Sequence, residues 1–526
     1  MIDSLPEVTV RIHTCLTIFL LLVSNPPLLR SHVLHVPGDF TTIQGAIGGA
    51  ENGDTVLVSP GTYYEYEIDF LGKAITVTSA DPDDPNIVTM TVVDAGFQGR
   101  AFHFSSGEDS ASILTGFTLT GGHTDSWGGG IRCDSSSPRI ALNVIKSNSS
   151  SFGGGGIYLD GSRAVITGNT ISDNTAQWGG GGIRCSTSSP FIIGNTITGN
   201  TSDYGGGIDC HYGSHPVIIG NAIADNLAGD GGGIYCYEFS SPVISGNIIS
   251  RNQAEYGGGL HSRYSSPTDL WNNTFAGNQA TIEGGAIRCR YSSPVTAINS
   301  IFWGNSAPVG DEFYLGDLPS PNQSSLTISY SDVEGGESSI FAEEGNEIDW
   351  GPGMIETDPA FVDSQRRDYR LLWNSPCIDT GHPDSLDDDN TRRDMGALSF
   401  DQNEYLTLYL TPDTTEAAPG SRLGVTYTVI NRWGDPVSFL LETSVILPDG
   451  REYGLIGPNL YYLPGDRTAR VHAAHAVPLT APSGFYRYRS SVEVFSRAIS
   501  GEDSFVFEIL SANSLPILTP SPKIPY

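Results

Sequence analysis

Positive charge is scarce in this chain: 27 Lys and Arg stand against 59 Asp and Glu, a net charge of −32 over 526 residues. Such a field repels nucleic-acid phosphates and anionic lipid headgroups at long range, which excludes both as general partners. Charge of either sign is thin, at 16% of residues, against roughly a quarter in ordinary domains. Long apolar runs are nearly absent too. The one candidate, residues 15–24 (CLTIFLLLVS), is too short to span a bilayer. With Arg11 and His13 ahead of it and Asn25-Pro26-Pro27 behind, it reads as the core of a secretory signal within residues 1–31. A secreted or cell-surface protein without a membrane span is therefore expected. The 63 glycines do not fall every third residue, which excludes collagen, and 38% hydrophobic residues exclude a disordered chain.

What is present is a repeat. Glycine triplets begin at 128, 154, 180, 205, 231 and 257, with a final Gly284-Gly285-Ala286. The aliphatic residues that follow, Ile131, Ile157, Ile183, Ile208, Ile234, Leu260 and Ile287, are spaced by 26, 26, 25, 26, 26 and 27. Asparagines fill two further columns, Asn143 to Asn299 and Asn148 to Asn305. After each aliphatic residue comes a variable one, then a small or apolar one, the alternation of a half-buried strand. Glycine and asparagine supply left-handed corners. A unit of about 26 residues, made of short strands and corners, cannot bury its face alone and must stack on its neighbours. The missing leucine ladder excludes leucine-rich repeats, and the missing nine-residue aspartate period excludes calcium-binding nonapeptide coils. The fold expected is all-β: a right-handed parallel β-helix followed by an immunoglobulin-like sandwich. The asparagine columns then read as stacked amide ladders rather than ligands.

The segments Phe275-x-x-Asn278 before Gly284-Gly285-Ala286-Ile287, and Ile171-x-x-Asn174 before GGGI, resemble the FxxN/GGAI repeats of polymorphic outer-membrane proteins. That resemblance implies a surface adhesin with a β-helical body. Residues 36–65 (VPGDFTTIQGAIGGAENGDTVLVSPGTYYE) resemble the first turn of secreted pectin-lyase-fold proteins, which implies a short capping helix over 41–50 with Thr41 or Thr42 as its N-cap. The catalytic aspartate motifs of pectinesterases and the paired aspartates of polygalacturonases have no counterpart here. The resemblances imply fold rather than activity.

The domain map is then a signal region at 1–31, cap and first coils at 36–115, regular coils at 116–305, irregular coils and an acidic loop at 306–400, a sandwich at 404–512, and a tail at 513–526. Charge is partitioned along it. Residues 116–300 carry twelve acidic and nine basic side chains, whereas 301–400 carry twenty and five. The regular coils are thus nearly neutral and free to meet an anionic partner.

Cys133, Cys185, Cys210, Cys236 and Cys289 share one inward column. Stacked in register they point in parallel, so small apolar thiols are expected rather than disulfides or a metal centre. The outward positions of four successive strands are Asp209 and His211, Tyr235 and Tyr237, His261 and Arg263, and Arg288 and Arg290. On rungs about 4.8 Å apart these form one His/Arg/Tyr field, in which rings stack on sugars and guanidinium forks pair with carboxylate or sulfate. The partner expected is a polysaccharide or cell-surface glycan, bound by a monomer. A non-catalytic role is favoured. The alternative is a polysaccharide lyase or hydrolase in which Arg263 or Arg290 neutralises a sugar carboxylate and His211 or His261 acts as base. Asp384, Asp387 and Asp389 offer hard oxygens to Ca²⁺, but without EF-hand spacing, and a solvated acidic loop is the favoured reading there.

Overall fold

A computed structural model describes residues 31–316, 323–494 and 499–511. The signal-like run and the 513–526 tail lie outside the described residues. Three parallel sheets enclose one core: thirteen strands from Val33–Val36 to Glu347–Trp350, ten from Phe102–Phe104 to Ile340–Ala342, and eleven from Gly61–Tyr63 to Asp332–Val333. Each regular coil gives one short strand to each sheet, and neighbours pair in register, as in Ile183 with Ile208 and Cys185 with Cys210. The chain is a right-handed parallel β-helix, the hand that parallel crossovers almost always take.

The expected interior is found. Ile131, Ile157, Ile183, Ile208, Ile234, Leu260 and Ile287 are wholly buried. The five cysteines of the next inward position are buried. Both asparagine columns are ladders: Asn226 Nδ2 donates to Asn252 Oδ1 at 3.0 Å and to the Ile197 carbonyl at 2.9 Å, and the pattern repeats up the stack. One member departs. Ser300, not Asn299, takes the next rung, its Oγ accepting from Asn273 N at 3.2 Å. The coil lengthens by a residue there, so Asn273 pairs beside Ser300 while Asn299 slips into the corner and accepts from His382 N at 2.6 Å. A serine ladder, Ser162 to Ser188 to Ser214 to Ser240, stacks in the same way at another corner.

The N-terminal end is closed by the helix Ile43–Gly49, which buries Ile43, Ala46 and Ile47. Thr42 is its N-cap, accepting from Gly45 N at 3.0 Å, and Glu65 accepts from the amides of Ile43 and Gln44. At the other end the coils stop with the bridge between Asp332 and Ile355, short of Phe400. Residues 358–400 instead form an antiparallel hairpin (Phe361–Asp363 with Asp368–Leu371) and loops. These bury Leu371, Cys377, Met395 and Phe400 against Ile301 of the coils and Ile430 of the last domain. The proline- and aspartate-rich sequence there makes turns rather than rungs.

The last domain is a β-sandwich of eight strands. Leu406–Pro412, Arg422–Asn431 and Arg467–Ala476 form one sheet, which faces five strands ordered Glu416–Ala417, Ile499–Ile509, Gly484–Val494, Val437–Ile446 and Glu452–Leu463. It contacts both an early coil and the hairpin segment that follows the last one. Phe485 N donates to Asn86 Oδ1 at 2.7 Å on an early coil, and Arg370 of the hairpin reaches Asp503 at 2.6 Å. The sandwich therefore lies alongside the coils instead of extending them.

Candidate functional site

Each coil enters the ten-stranded sheet through its glycine triplet. Just ahead of the triplet the chain forms a narrow fourth side, bridged from coil to coil through Gly153, Gly179, Tyr204, Asp230 and Tyr256. Glycine at 179 leaves room for the side chains beneath it, since a Cβ there would crowd Asp209 Oδ2 and Arg184 Nη1.

Alternation directs the second and fourth residues of each strand away from the core, as expected. The expectation that all of them face solvent is corrected. Asp209, Tyr235, His261 and Arg288 are no more than 4% exposed, because the fourth side covers them. Tyr204 packs on Tyr235 at 5.3 Å, Asp230 meets His261 at 2.8 Å, and Tyr256 lies 4.2 Å beneath the Arg288 guanidinium. His211, Tyr237, Arg263 and Arg290, two residues on, are half-buried.

The covered column holds two charge networks. In one, Arg184 Nη1 is 3.0 Å from Asp209 Oδ2, and His211 Nδ1 lies 3.4 Å from Asp209 Oδ1. The Arg184 contact is close but out of line for a hydrogen bond, so Asp209 Oδ2 acts as a counter-charge. In the other, His261 lies between Asp230 at 2.8 Å and Arg288 at 3.0 Å, and Arg288 Nη2 also binds Glu283 at 2.7 Å. Burial pushes the His261 imidazole down to about 4, against the pull of Asp230, so it is neutral at ordinary pH. Burial raises the Asp230 carboxyl, but its bond to His261 and the nearby arginines more than offset this and leave it below its usual value. Burial also pushes the Tyr235 phenol far up. None of the three is poised to exchange protons near neutrality.

Beside this buried column runs an open groove of about 480 Å³, lined by Trp127, Phe152, Trp178, Arg184, Tyr204, His211, Tyr212, Tyr235, Tyr237, Arg263 and Tyr264. Its rings form a continuous series. His211 stacks on Tyr237 at 4.5 Å, Tyr237 meets Tyr264 edge-on at 5.2 Å, and Tyr264 stacks on Tyr291 at 4.6 Å. Tyr212, Tyr264 and Tyr291 hold left-handed corner conformations with φ of 54°, 56° and 54°. Arg263 lies 4.7 Å over Tyr264 and 5.4 Å over Tyr291. Unlike Arg184 and Arg288, Arg263 has no carboxylate within ion-pair distance among the described residues.

Of the eight residues expected at the site, the groove thus gathers His211, Tyr235, Tyr237 and Arg263. Asp209 and His261 lie beneath as supports. Arg288 is committed to Glu283 and His261, and Arg290 sits beyond the groove over Tyr291 at 4.9 Å. Sequence reasoning missed Arg184 and the aromatic wall of Trp127, Phe152, Trp178 and Tyr204. The signal was present, an aromatic residue one or two places before four successive glycine triplets. It also missed a charged cluster past the Trp127 end. His103 lies 2.9 Å from Asp134 and 3.6 Å from Glu67, Arg132 pairs with Asp134, and Arg100 donates to Glu67 and to the Trp127 carbonyl.

The acidic loop is built differently. Asp389 accepts from the Thr391 and Gln402 amides, and Asp387 accepts from Asp394 N while pairing with Arg393 at 3.1 Å. Asp384 is exposed, whereas Asp387 is buried rather than solvated. These oxygens hold their own loop together and do not converge. Among the described residues no group of three His, Cys, Asp or Glu side chains is disposed to hold a metal ion.

The family model described as a right handed beta helix region matches residues 129–283, the coils that carry the groove. No curated protein matches the chain. Among solved structures, it is similar to a mannuronic acid specific polysaccharide family 6 lyase from human gut microbiota, at 14% identity and a TM-score of 0.35, covering 62% of this chain and 83% of that one. It is similar to the enzymatically active domain of tailspike protein 4 of bacteriophage CBA120, at 11% identity and a TM-score of 0.27, over 87% and 64% of the two chains. A third match, the sporulation control protein Spo0M from Bacillus subtilis, has 12% identity and a TM-score of 0.16, and covers 20% of this chain and only half of that one. At these overlaps none of the three carries an argument about what this chain does.

Proposed function

We propose that this protein is an exported, non-catalytic binder of acidic polysaccharide, with the aromatic groove as its ligand site. One observation carries the reading: Arg263 sits in a groove of stacked rings without a carboxylate of its own. A strand-borne guanidinium held over tyrosine faces is pre-ordered, so little side-chain entropy is lost when a sugar carboxylate or sulfate docks. The rings of Trp178, Tyr212, Tyr237 and Tyr264 offer apolar faces to successive sugar rings. The buried charge networks behind the groove offset one another's charge and pack its floor. The sandwich, which we read as immunoglobulin-like, serves as an attachment or spacer module.

The second reading is a lyase or hydrolase of the same fold. The contact between His211 and Asp209, at the edge of the groove and beside Tyr237, is the observation that favours it. A glycan array followed by an assay for unsaturated or reducing-end products separates the two readings. Binding without turnover supports the first, and turnover that is lost in His211→Ala supports the second. Arg263→Ala combined with Arg290→Ala should lower affinity for acidic glycans at least about tenfold without changing the unfolding midpoint. Binding by the parent chain should also weaken with salt. Unchanged retention of every acidic glycan by the double variant overturns the assignment of this face.

A further inference from the structure

A second cavity, of about 400 Å³, opens on another side of the solenoid, where the fourth side meets the eleven-stranded sheet. One wall comes from successive coils, with Gln253, Gln279 and Trp303. The other is the hairpin that follows the last coil, with Phe361, Gln365 and Tyr369. The hairpin is tied to the coils by Arg367, which pairs with Asp225 at 2.9 Å, and is braced internally by a T-shaped contact of Tyr369 with Phe361 at 5.3 Å. The cavity is therefore a built feature of the junction and shares no lining residue with the groove.

We propose that this cavity is a separate carbohydrate site for a neutral mono- or disaccharide. Its volume lies in the lower part of the range for small-molecule pockets, roughly 300–1,000 Å³. Its two charged lining groups, Asp225 and Arg251, pair with each other at 3.1 Å. The polar groups left are the amides of Gln253, Gln279 and Gln365, with the Ser364 and Tyr369 hydroxyls and the Trp303 indole N–H, and among the described residues no internal hydrogen bond engages the three amides. An amide presents donors and an acceptor side by side, which suits a hydroxyl that both gives and takes, whereas a carboxylate needs a surplus of donors. Gln253 and Gln279 stand directly above one another on paired strands, so their amides are spaced by one rung, about 4.8 Å. Trp303 packs against the junction core and lines the cavity, and supplies the flat apolar surface that sugar rings use.

The test titrates the full chain with cellobiose, maltose, lactose and chitobiose, and with digalacturonate as the acidic control, by calorimetry and saturation-transfer NMR. At least one neutral disaccharide should bind with Kd near or below about 1 mM. That binding should fall at least about tenfold in Gln279→Ala and in Trp303→Phe, and persist in Arg263→Ala, which should lose only acidic ligands. Gln279 is exposed, so its variant folds even if the tryptophan substitution disturbs the junction. No binding of any neutral disaccharide up to about 10 mM, or binding that survives Gln279→Ala, or binding abolished by Arg263→Ala, overturns the proposal. The acidic-ligand arm reports separately on the groove.

Discussion

Glu312 stands where earlier coils have the third glycine of the triplet, and it ends one asparagine ladder by accepting from Asn305 Nδ2 at 2.8 Å. It is 1% exposed, and burial pushes its carboxyl up to about 8, with Glu334 and Asp311 adding to the rise. The folded state therefore holds a proton that the unfolded chain, with an ordinary value near 4.5, has released. Stability from this group is complete below that ordinary value and is lost as pH rises through about 8. The loss amounts to a few kcal/mol, at about 1.4 kcal/mol for each pH unit between the two values. His261 acts in the opposite window. Held down to about 4, it withdraws stability as pH falls from its ordinary 6.5. Denaturant melts from pH 4 to pH 9 should show Glu312→Gln flattening only the alkaline limb. An alkaline limb as steep as the parent's would show that Glu312 is ionised in the folded chain.

At the scale of the element, the coil is held by its ladders. The Asn226 side chain takes part in four hydrogen bonds: it accepts twice from Asn200 and donates to Ile197 O and Asn252 Oδ1. Asn226→Ala orphans buried groups above and below, at about 1–3 kcal/mol each, and should lower the unfolding midpoint sharply. Ser300 already replaces asparagine on the other ladder, at a coil of different length. Asn273→Ser next to it should therefore be milder than Asn226→Ser in the middle of a regular stack. Equal costs at the two positions would mean that the ladder is energetically uniform, against this expectation. Ile208→Asp, which places an unpaired charge in the closed core, should cost several kcal/mol and prevent folding of the coils.

For the whole molecule, the sandwich is tied to the solenoid by a few polar contacts and one small apolar core. Asn86 forms two hydrogen bonds with the backbone of Phe485, donating to its carbonyl at 3.1 Å and accepting from its amide at 2.7 Å. Asn86→Ala removes both and leaves each domain's own core intact. Hydrogen exchange should then quicken in the strand Gly484–Val494 around Phe485, with the coils around Ile208 unchanged. Protection equal to the parent's would show that the junction core of Phe400, Met395 and Ile430 docks the sandwich by itself.

Period and alternation were legible in the sequence because in-register stacking requires the same residue type at the same place in every coil. The Ile column, the thiol column, the asparagine ladders and the solenoid itself all follow from that requirement. The one slip, Asn299 for Ser300, occurs in the coil lengthened to 27 residues, where the spacing points to 300 and only the residue type points to the asparagine beside it. The site was only half legible. His211, Tyr237 and Arg263 were found, because alternation does say which residues leave the core. It does not say what lies above them, and Asp209, Tyr235, His261 and Arg288 are buried because the fourth side folds over their column. That packing joins residues about one coil apart, such as Asp230 with His261 and Tyr204 with Tyr235. It also decides which arginine is neutralised and which is left free. The cavity beside Trp303 depends on a hairpin from after the last coil returning to the coils, a contact set by tertiary packing that leaves no periodic trace in the chain.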